Sequence, residues 1–317
     1  MIAKVAVVGS GYMGGGIAQV LALSGRQVLL ADASADQALR SRERIIREAA
    51  DFATRGLLPP DSADRLAAAV AAATSIESAV AEADFIEEAV PEILELKHDV
   101  LRRISEATRP EAVIGSNTST ISIGTLAEVV TRPERFLGVH FSNPAPFIPG
   151  VEVIPHDGTA PDVAPRVIEL LEQSGKTGVE IPDVTGFVLN RLQYALFSEA
   201  ARLVEEGVAT PESVDRIART TFGFRLPFFG PFAIADMAGL DVYDFCYRSL
   251  HDAYPDRFIR PAALAERVER GELGVKTGSG FLSTPAERLP DLIAYRDQAY
   301  AAMQELLDRL GAPDVEY

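Results

Sequence analysis

The segment from Lys4 to Asp32 constrains this chain most. Val5-Ala6-Val7-Val8 is a continuous apolar run, as expected for a strand buried on both faces of a parallel sheet. Gly9-Ser10-Gly11-Tyr12-Met13-Gly14 follows at once, and Ile17 to Leu23 continues with helical spacing. Gly25 ends that helix, and Gln27 to Asp32 reads as the second strand. Glycines placed this way allow a tight turn and let backbone amides approach a pyrophosphate at the helix start. Asp32 then falls where a carboxylate can accept hydrogen bonds from an adenosine ribose diol. No Arg or Lys follows it before Arg40, so a 2′-phosphate would meet an uncompensated negative charge. The expected cofactor is NAD, held by Gly9, Gly11, Tyr12, Met13, Gly14 and Asp32.

Beyond this unit, strands and helices keep alternating. Residues 37–73 read as helix, broken by Pro59-Pro60. Residues 85–90 read as a strand despite Glu87 and Glu88, and residues 92–105 as a helix. Residues 112–116 and 136–140 are further strands, and residues 175–181 read as the last one. The alternation predicts an α/β class: a Rossmann-type, doubly wound parallel sheet. After Pro182 the texture turns helical, with apolar spacing over residues 187–206 and a new helix at Pro211 behind a Thr210 cap. The expected organisation is residues 1–185 as the nucleotide domain and residues 186–317 as an all-α domain.

Charge narrows the partners. The net charge of −16 argues against nucleic acid or an anionic membrane surface. It also obliges an anionic substrate to find a local cation. Cys246 is the single cysteine, which excludes an internal disulfide and suits a reducing cytoplasm. It reads as a small core residue, and no His or Cys near it has zinc-ligand spacing, so no metal is expected. Residues 5–25 carry no charge, but their six glycines make a poor signal sequence or membrane span.

His140 closes the strand Phe136-Leu137-Gly138-Val139, where open α/β sheets place their ligands. Glu152 lies in the next apolar run, Val151-Glu152-Val153-Ile154, within reach on a neighbouring strand. A histidine with a carboxylate partner moves one proton near neutral pH. His98 reads as part of a solvated helix face, and His156 and His251 as loop residues. A nucleotide half plus a proton-transfer pair predicts a dehydrogenase.

The chain resembles the 3-hydroxyacyl-CoA dehydrogenase superfamily along nearly its whole length. The resemblance rests on residues 8–18, Ser116-Asn117-Thr118-Ser119, Gly138-Val139-His140-Phe141-Ser142-Asn143-Pro144, Val151-Glu152-Val153, Thr185-Gly186-Phe187-Val188-Leu189-Asn190-Arg191 and Lys276-Thr277-Gly278-Ser279-Gly280-Phe281. It implies a Rossmann domain, a helical domain that forms a homodimer, and a site between the domains. It makes His140 the general acid/base, oriented by Glu152, with Ser119 and Asn190 hydrogen-bonding the reacting oxygen. Glu92, Lys97, Asn117, Asn143 and Lys276 would line the cofactor site.

Residues 186–207, and Arg225 ahead of Gly230-Pro231, are similar to the branch of L-gulonate 3-dehydrogenase and lambda-crystallin. With carnitine dehydrogenase, that branch acts on small free hydroxy acids. The CoA-using branch has a lysine-rich turn where residues 52–60 hold only Arg55. It also has a lysine where the stretch 145–150 carries proline. The expected substrate is therefore a small free hydroxy carboxylate with a secondary alcohol, its carboxylate held by Arg225 beside a phenylalanine-rich wall. A salt bridge from Arg225 to Asp215 or Asp236 is the bland alternative. A 3-hydroxyacyl-CoA substrate and an aromatic hydroxymethyl or aldehyde acid are the other enzyme readings. A crystallin-like NAD-binding protein without turnover is disfavoured, because Ser119, His140, Glu152 and Asn190 are all present.

Overall fold

Val5 to Val8 are buried because their strand is central. In the computed structural model, which describes residues 2–311, the strands are β1 (Lys4–Val8), β2 (Gln27–Ala31), β3 (Val70–Ala72) and β4 (Phe85–Glu88). They continue with β5 (Val113–Ser116), β6 (Phe136–Phe141), β7 (Gly150–Pro155) and β8 (Thr177–Glu180). All eight form one sheet in the order 3-2-1-4-5-6-7-8. The intervening helices are α1 (Tyr12–Leu23), α2 (Ala35–Thr54), α3 (Ser62–Ala69) and α4 (Ile76–Val80). Next come α5 (Leu94–Ala107), α6 (Ile123–Ala127) and α7 (Val163–Gln173).

Alternate strand residues serve the two faces. Val5 and Val7 pack with Ile17, Leu21, Ile45 and Leu66 from α1 to α3 and with Val167 of α7. Ala6 and Val8 face the other way, onto Ile76, Leu101, Ile104 and Leu126 from α4 to α6. Each fully buried Val, Leu or Ile contributes about 1.5–3 kcal/mol. The chain leaves β1 for β2 on one side and later places β4 on the other. That reversal opens a crevice at the carboxyl ends of β1 and β4.

Two features differ from the sequence expectation. Val70–Ala72 is not helical: it pairs in parallel with β2, Val28 opposite Val70. Three residues are too few to show an alternating pattern, and pairing outweighs the low strand preference of alanine. The sheet is also not wholly parallel, since β6 and β7 run antiparallel. Only residues 142–149 connect them, too short a link for a helical crossover.

The chain divides into two compact units between Ala195 and Leu196. The division falls inside α8 (Leu189–Glu205). The second unit continues with α9 (Pro211–Thr220), α10 (Phe222–Arg225), α11 (Pro231–Ala238), α12 (Leu240–Ala253), α13 (Ala262–Glu269) and α14 (Leu289–Leu310). Thr210 caps α9 by accepting from the Ser213 amide, ahead of Pro211. The core of this unit is small: Ala235, Leu240 and Leu264, with Tyr243, Tyr247 and Phe281 against them. Cys246, expected in a core, is exposed on α12. No helix among the described residues is long and apolar enough to cross a membrane.

Candidate active site

The glycine turn lies at the carboxyl end of β1. Gly9 has φ +93°. A Cβ there would stand 2.6 Å from the Ala89 carbonyl carbon, so only glycine fits beside the end of β4. A Cβ on Gly14 would collide with the Gly9 carbonyl, whereas one on Gly11 would meet open space. Gly11 therefore leaves room for a ligand to approach the backbone. The first helical bond runs from the Gly15 amide to the Gly11 carbonyl, which leaves the earlier amides of the first turn without intrahelical acceptors. These free donors and the helix dipole suit a pyrophosphate.

Gly9, Gly11, Tyr12, Met13, Asp32, Glu92, Asn117 and Ser119 all line one cavity of about 870 Å³. Asp32 Oδ2 accepts from the Ser10 amide at 2.8 Å and its hydroxyl at 2.6 Å, and Oδ1 accepts from the Ala33 amide at 2.7 Å. The carboxylate is thus held at the cavity wall, where a ribose diol can reach it. These residues fit NAD.

Lys97 does not line this cavity. It is fully buried, and its ammonium donates to Glu88 Oε1 at 2.9 Å and to the Val90 carbonyl at 3.2 Å. Glu92 Oε2 lies 3.5 Å from the same nitrogen. A buried ammonium needs anionic partners, so Lys97 supports the wall from beneath. Glu92 in turn accepts from the Thr118 hydroxyl at 2.7 Å and from the Ser119 and Thr120 amides at 2.9 and 2.8 Å. Burial opposes its ionisation, but the Thr118 hydroxyl, the two amides and the Lys97 charge outweigh it and hold the carboxyl at about 2. Asn143, in the loop after β6, also lies outside the cavity lining.

The antiparallel register places His140 opposite Glu152. His140 Nδ1 lies 2.8 Å from Glu152 Oε2, and Nε2 lies 3.0 Å from Ser119 Oγ. Glu152 Oε1 accepts from the Val188 and Leu189 amides, both at 2.9 Å, and so caps the start of α8. With Nδ1–H pointed at a fixed carboxylate, Nε2 is the nitrogen free for chemistry. Phe187, buried at φ +49°, tilts against the imidazole at 5.6 Å between ring centres. Asn190 Nδ2 donates to the Ser119 carbonyl at 2.9 Å. Ser119, His140, Glu152 and Asn190 are thus brought together within one hydrogen-bonded chain.

The remaining expected residues belong to the helical unit. Lys276 donates to both carboxylate oxygens of Asp241, at 2.7 and 2.9 Å. Among the described residues Arg225 has no ion-pair partner, and Asp236 instead accepts from the Phe281 and Leu282 amides. Arg225 lines a cavity of about 380 Å³ with Ile234, Met237, Ala238, Arg296, Asp297 and Tyr300. Phe224, Phe228 and Phe229 pack around Tyr300 with ring centres 5.7–6.3 Å apart. Of the phenylalanine wall only Phe229 is buried, and Phe232 is exposed.

Sequence reasoning missed Glu88, which also accepts from the Ser116 hydroxyl at 2.6 Å. Its signal was a pair of acids in an otherwise apolar strand. It also missed Asp183, which anchors the loop beyond Ser119 by accepting from the Ser122 hydroxyl and the Gly124 amide. Glu87 is fully buried with neither carboxylate oxygen partnered.

Comparison with known proteins agrees with this fold. The profile described as 3-hydroxyacyl-CoA dehydrogenase, NAD binding domain, matches residues 4–184. The profile described as 3-hydroxyacyl-CoA dehydrogenase, C-terminal domain, matches residues 186–284. The 3-hydroxyadipyl-CoA dehydrogenase of Escherichia coli is 38% identical over 90% of this chain, which spans 60% of that protein. The 5-formyl-3-hydroxy-2-methylpyridine 4-carboxylate 5-dehydrogenase of Mesorhizobium japonicum is 33% identical over 97% of this chain and 99% of its own. A solved 3-hydroxyacyl-CoA dehydrogenase from Archaeoglobus fulgidus aligns at a TM-score of 0.77 and 32% identity, covering 98% of this chain and 99% of that one. With both profiles matched, the chain belongs to the 3-hydroxyacyl-CoA dehydrogenase family and is an NAD-dependent oxidoreductase acting on CH–OH groups.

Proposed function

We propose that the chain oxidises the secondary alcohol of a small free hydroxy carboxylate, of the 3-hydroxy acid type. His140 Nε2 removes the hydroxyl proton, and Glu152 stabilises the resulting imidazolium through Nδ1–H. The Ser119 hydroxyl, 3.0 Å from Nε2, is placed to share the reacting oxygen with it. Asn190 fixes the Ser119 backbone. NAD, held by the glycine turn and Asp32, would supply the hydride acceptor for the same carbon. Glu92 and Asn117, which line the cavity, act in cofactor binding, with Lys97 acting through Glu92.

The observation that carries the free-acid reading is the Arg225 guanidinium, without an ion-pair partner among the described residues in a cavity shared with Arg296 and Tyr300. In a chain of net charge −16 an anionic substrate needs a local cation, and the planar fork of Arg225 suits a carboxylate. Helix α14 supplies Arg296 and Tyr300 and lies beyond the segment that the family's C-terminal profile matches. The Mesorhizobium japonicum relative is itself named for a carboxylate-bearing pyridine, in keeping with a free acid. Arg55, the only cation in residues 52–60, is paired with Asp51 at 3.3 Å. The second reading, a CoA thioester, is favoured by relatives named CoA dehydrogenases at 38% and 36% identity.

Arg225→Met should raise KM for the free acid ~10²-fold, the loss expected for a charge-assisted pair of ~3 kcal/mol. Arg225→Lys should recover part of it. An unchanged KM in Arg225→Met would exclude the carboxylate role.

The helical unit exposes Phe197, Phe245, Ile259 and Leu226, at 67%, 69%, 71% and 44%. Apolar surface on this scale fits a second copy of the chain. A solution mass equal to one chain would contradict a homodimer.

A further inference from the structure

Arg44, on α2, reaches the glycine turn without lining the cavity. Its Nη2 donates to the Ser10 and Gly11 carbonyls at 3.1 and 2.9 Å, and its Nη1 donates to Glu48 Oε1 at 2.9 Å. Glu48 is itself anchored by Gln19, whose Nε2 donates to Glu48 Oε2 at 3.3 Å and to the Ile45 carbonyl at 3.0 Å. On its other side Ser10 is held by Asp32 through its amide and hydroxyl. The turn is therefore clamped at both ends.

The clamp has a direction. In a planar trans peptide the C=O and N–H point opposite ways. With the Ser10 and Gly11 carbonyls turned to the guanidinium, the N–H groups of Gly11 and Tyr12 point away from it. Gly11 and Tyr12 both line the nucleotide cavity. Room for this arrangement comes from Gly15, where a Cβ would stand 2.5 Å from Arg44 Nη2 and 3.0 Å from Ile45 Cγ2. The turn and the ribose contact do not require that glycine, but the guanidinium does.

We propose that Arg44 is a positioning residue for the dinucleotide. It fixes the amides that meet the pyrophosphate and adds positive charge behind them, which Glu48 offsets in part. The proposal rests on NAD binding and is independent of the substrate assignment.

The test titrates the full chain and its variants with NADH, ADP-ribose and adenosine. Arg44→Gln should weaken NADH and ADP-ribose ~10-fold, the loss of about one charge-assisted hydrogen bond, and adenosine less than about twofold. Gly15→Ala should displace the guanidinium and give a similar loss, with the double variant no weaker than Arg44→Gln alone. Arg44→Lys should recover part of the affinity, because one ammonium cannot span both carbonyls and Glu48. Unchanged ADP-ribose affinity in Arg44→Gln would overturn the proposal. So would an equal loss for adenosine and ADP-ribose, which marks a general loosening of the fold. Failure of the unmodified chain to bind ADP-ribose would instead overturn the nucleotide assignment, and this proposal with it.

Discussion

Glu92→Gln removes one charge from the support of the Ser119 loop while keeping the side chain's shape. Glu92 Oε1 accepts from the Thr118 hydroxyl at 2.7 Å, the Ser119 amide at 2.9 Å, and the Thr120 amide and hydroxyl at 2.8 and 3.0 Å. Hydrogen bonds to a charged acceptor contribute about 1.5–3 kcal/mol each, against about 1 kcal/mol for neutral ones. Summed over these donors, the loss would reach several kcal/mol in a dry interior. The Glu92 side chain is 35% exposed, so solvent screens much of that. A net loss of about 2 kcal/mol remains, a drop in Tm of roughly 4–8 °C for a unit of this size. The sign with pH is fixed by the depressed carboxyl, at about 2 against an ordinary 4.5. Its stabilisation is complete above the ordinary value and is lost as pH falls through about 2. Thermal unfolding followed by circular dichroism should show a Tm gap at about pH 6 that narrows toward about pH 3. A gap of constant size across that range would refute the reasoning.

Two further outcomes follow from the same geometry. His140→Ala should leave NADH binding near normal and lower turnover ~10²–10⁴-fold, with Glu152→Gln also slowed and shifted in its pH profile; near-normal turnover in folded His140→Ala would exclude the proton-transfer role. Burial first, and the Glu88 charge second, push the Glu87 carboxyl well above its ordinary 4.5. Its contribution to stability is therefore full below that value and falls as pH rises through the raised one. Glu87→Leu should stabilise by at least ~1 kcal/mol at about pH 8 and far less at about pH 4. An effect independent of pH would show that Glu87 is not the group responsible.

The parts of this molecule legible in the sequence are those coded by local pattern. The apolar run of β1, the glycine turn, Asp32 and the Thr210-Pro211 helix start all declare themselves within a few residues. His140 was legible because a histidine closing a sheet strand is rare and well placed. What escaped depends on partners distant in sequence. Val70–Ala72 becomes a strand only because β2 offers an edge. Lys97, expected from the resemblance to line the cofactor site, is instead drawn fully inside by Glu88 and Glu92. Arg44 lies 33 residues beyond the Gly11 carbonyl it binds, with no local pattern to connect them. Cys246 was misplaced because composition favours burial of cysteine, while α12 turns it to the exposed side. Arg225 stands out in the sequence as a cation among apolar residues, but its lack of an ion-pair partner among the described residues emerges only from the fold.

The most direct measurement of the central claim is an initial-rate screen for NADH formation with the unmodified chain. It would set small free hydroxy acids, with and without an aromatic ring, against 3-hydroxyacyl-CoA thioesters of matched chain length. The account predicts that kcat/KM for at least one free acid exceeds that of every thioester, and that removing its carboxylate as an amide abolishes the advantage. Efficient turnover of a CoA thioester with negligible rates on all free acids would contradict it.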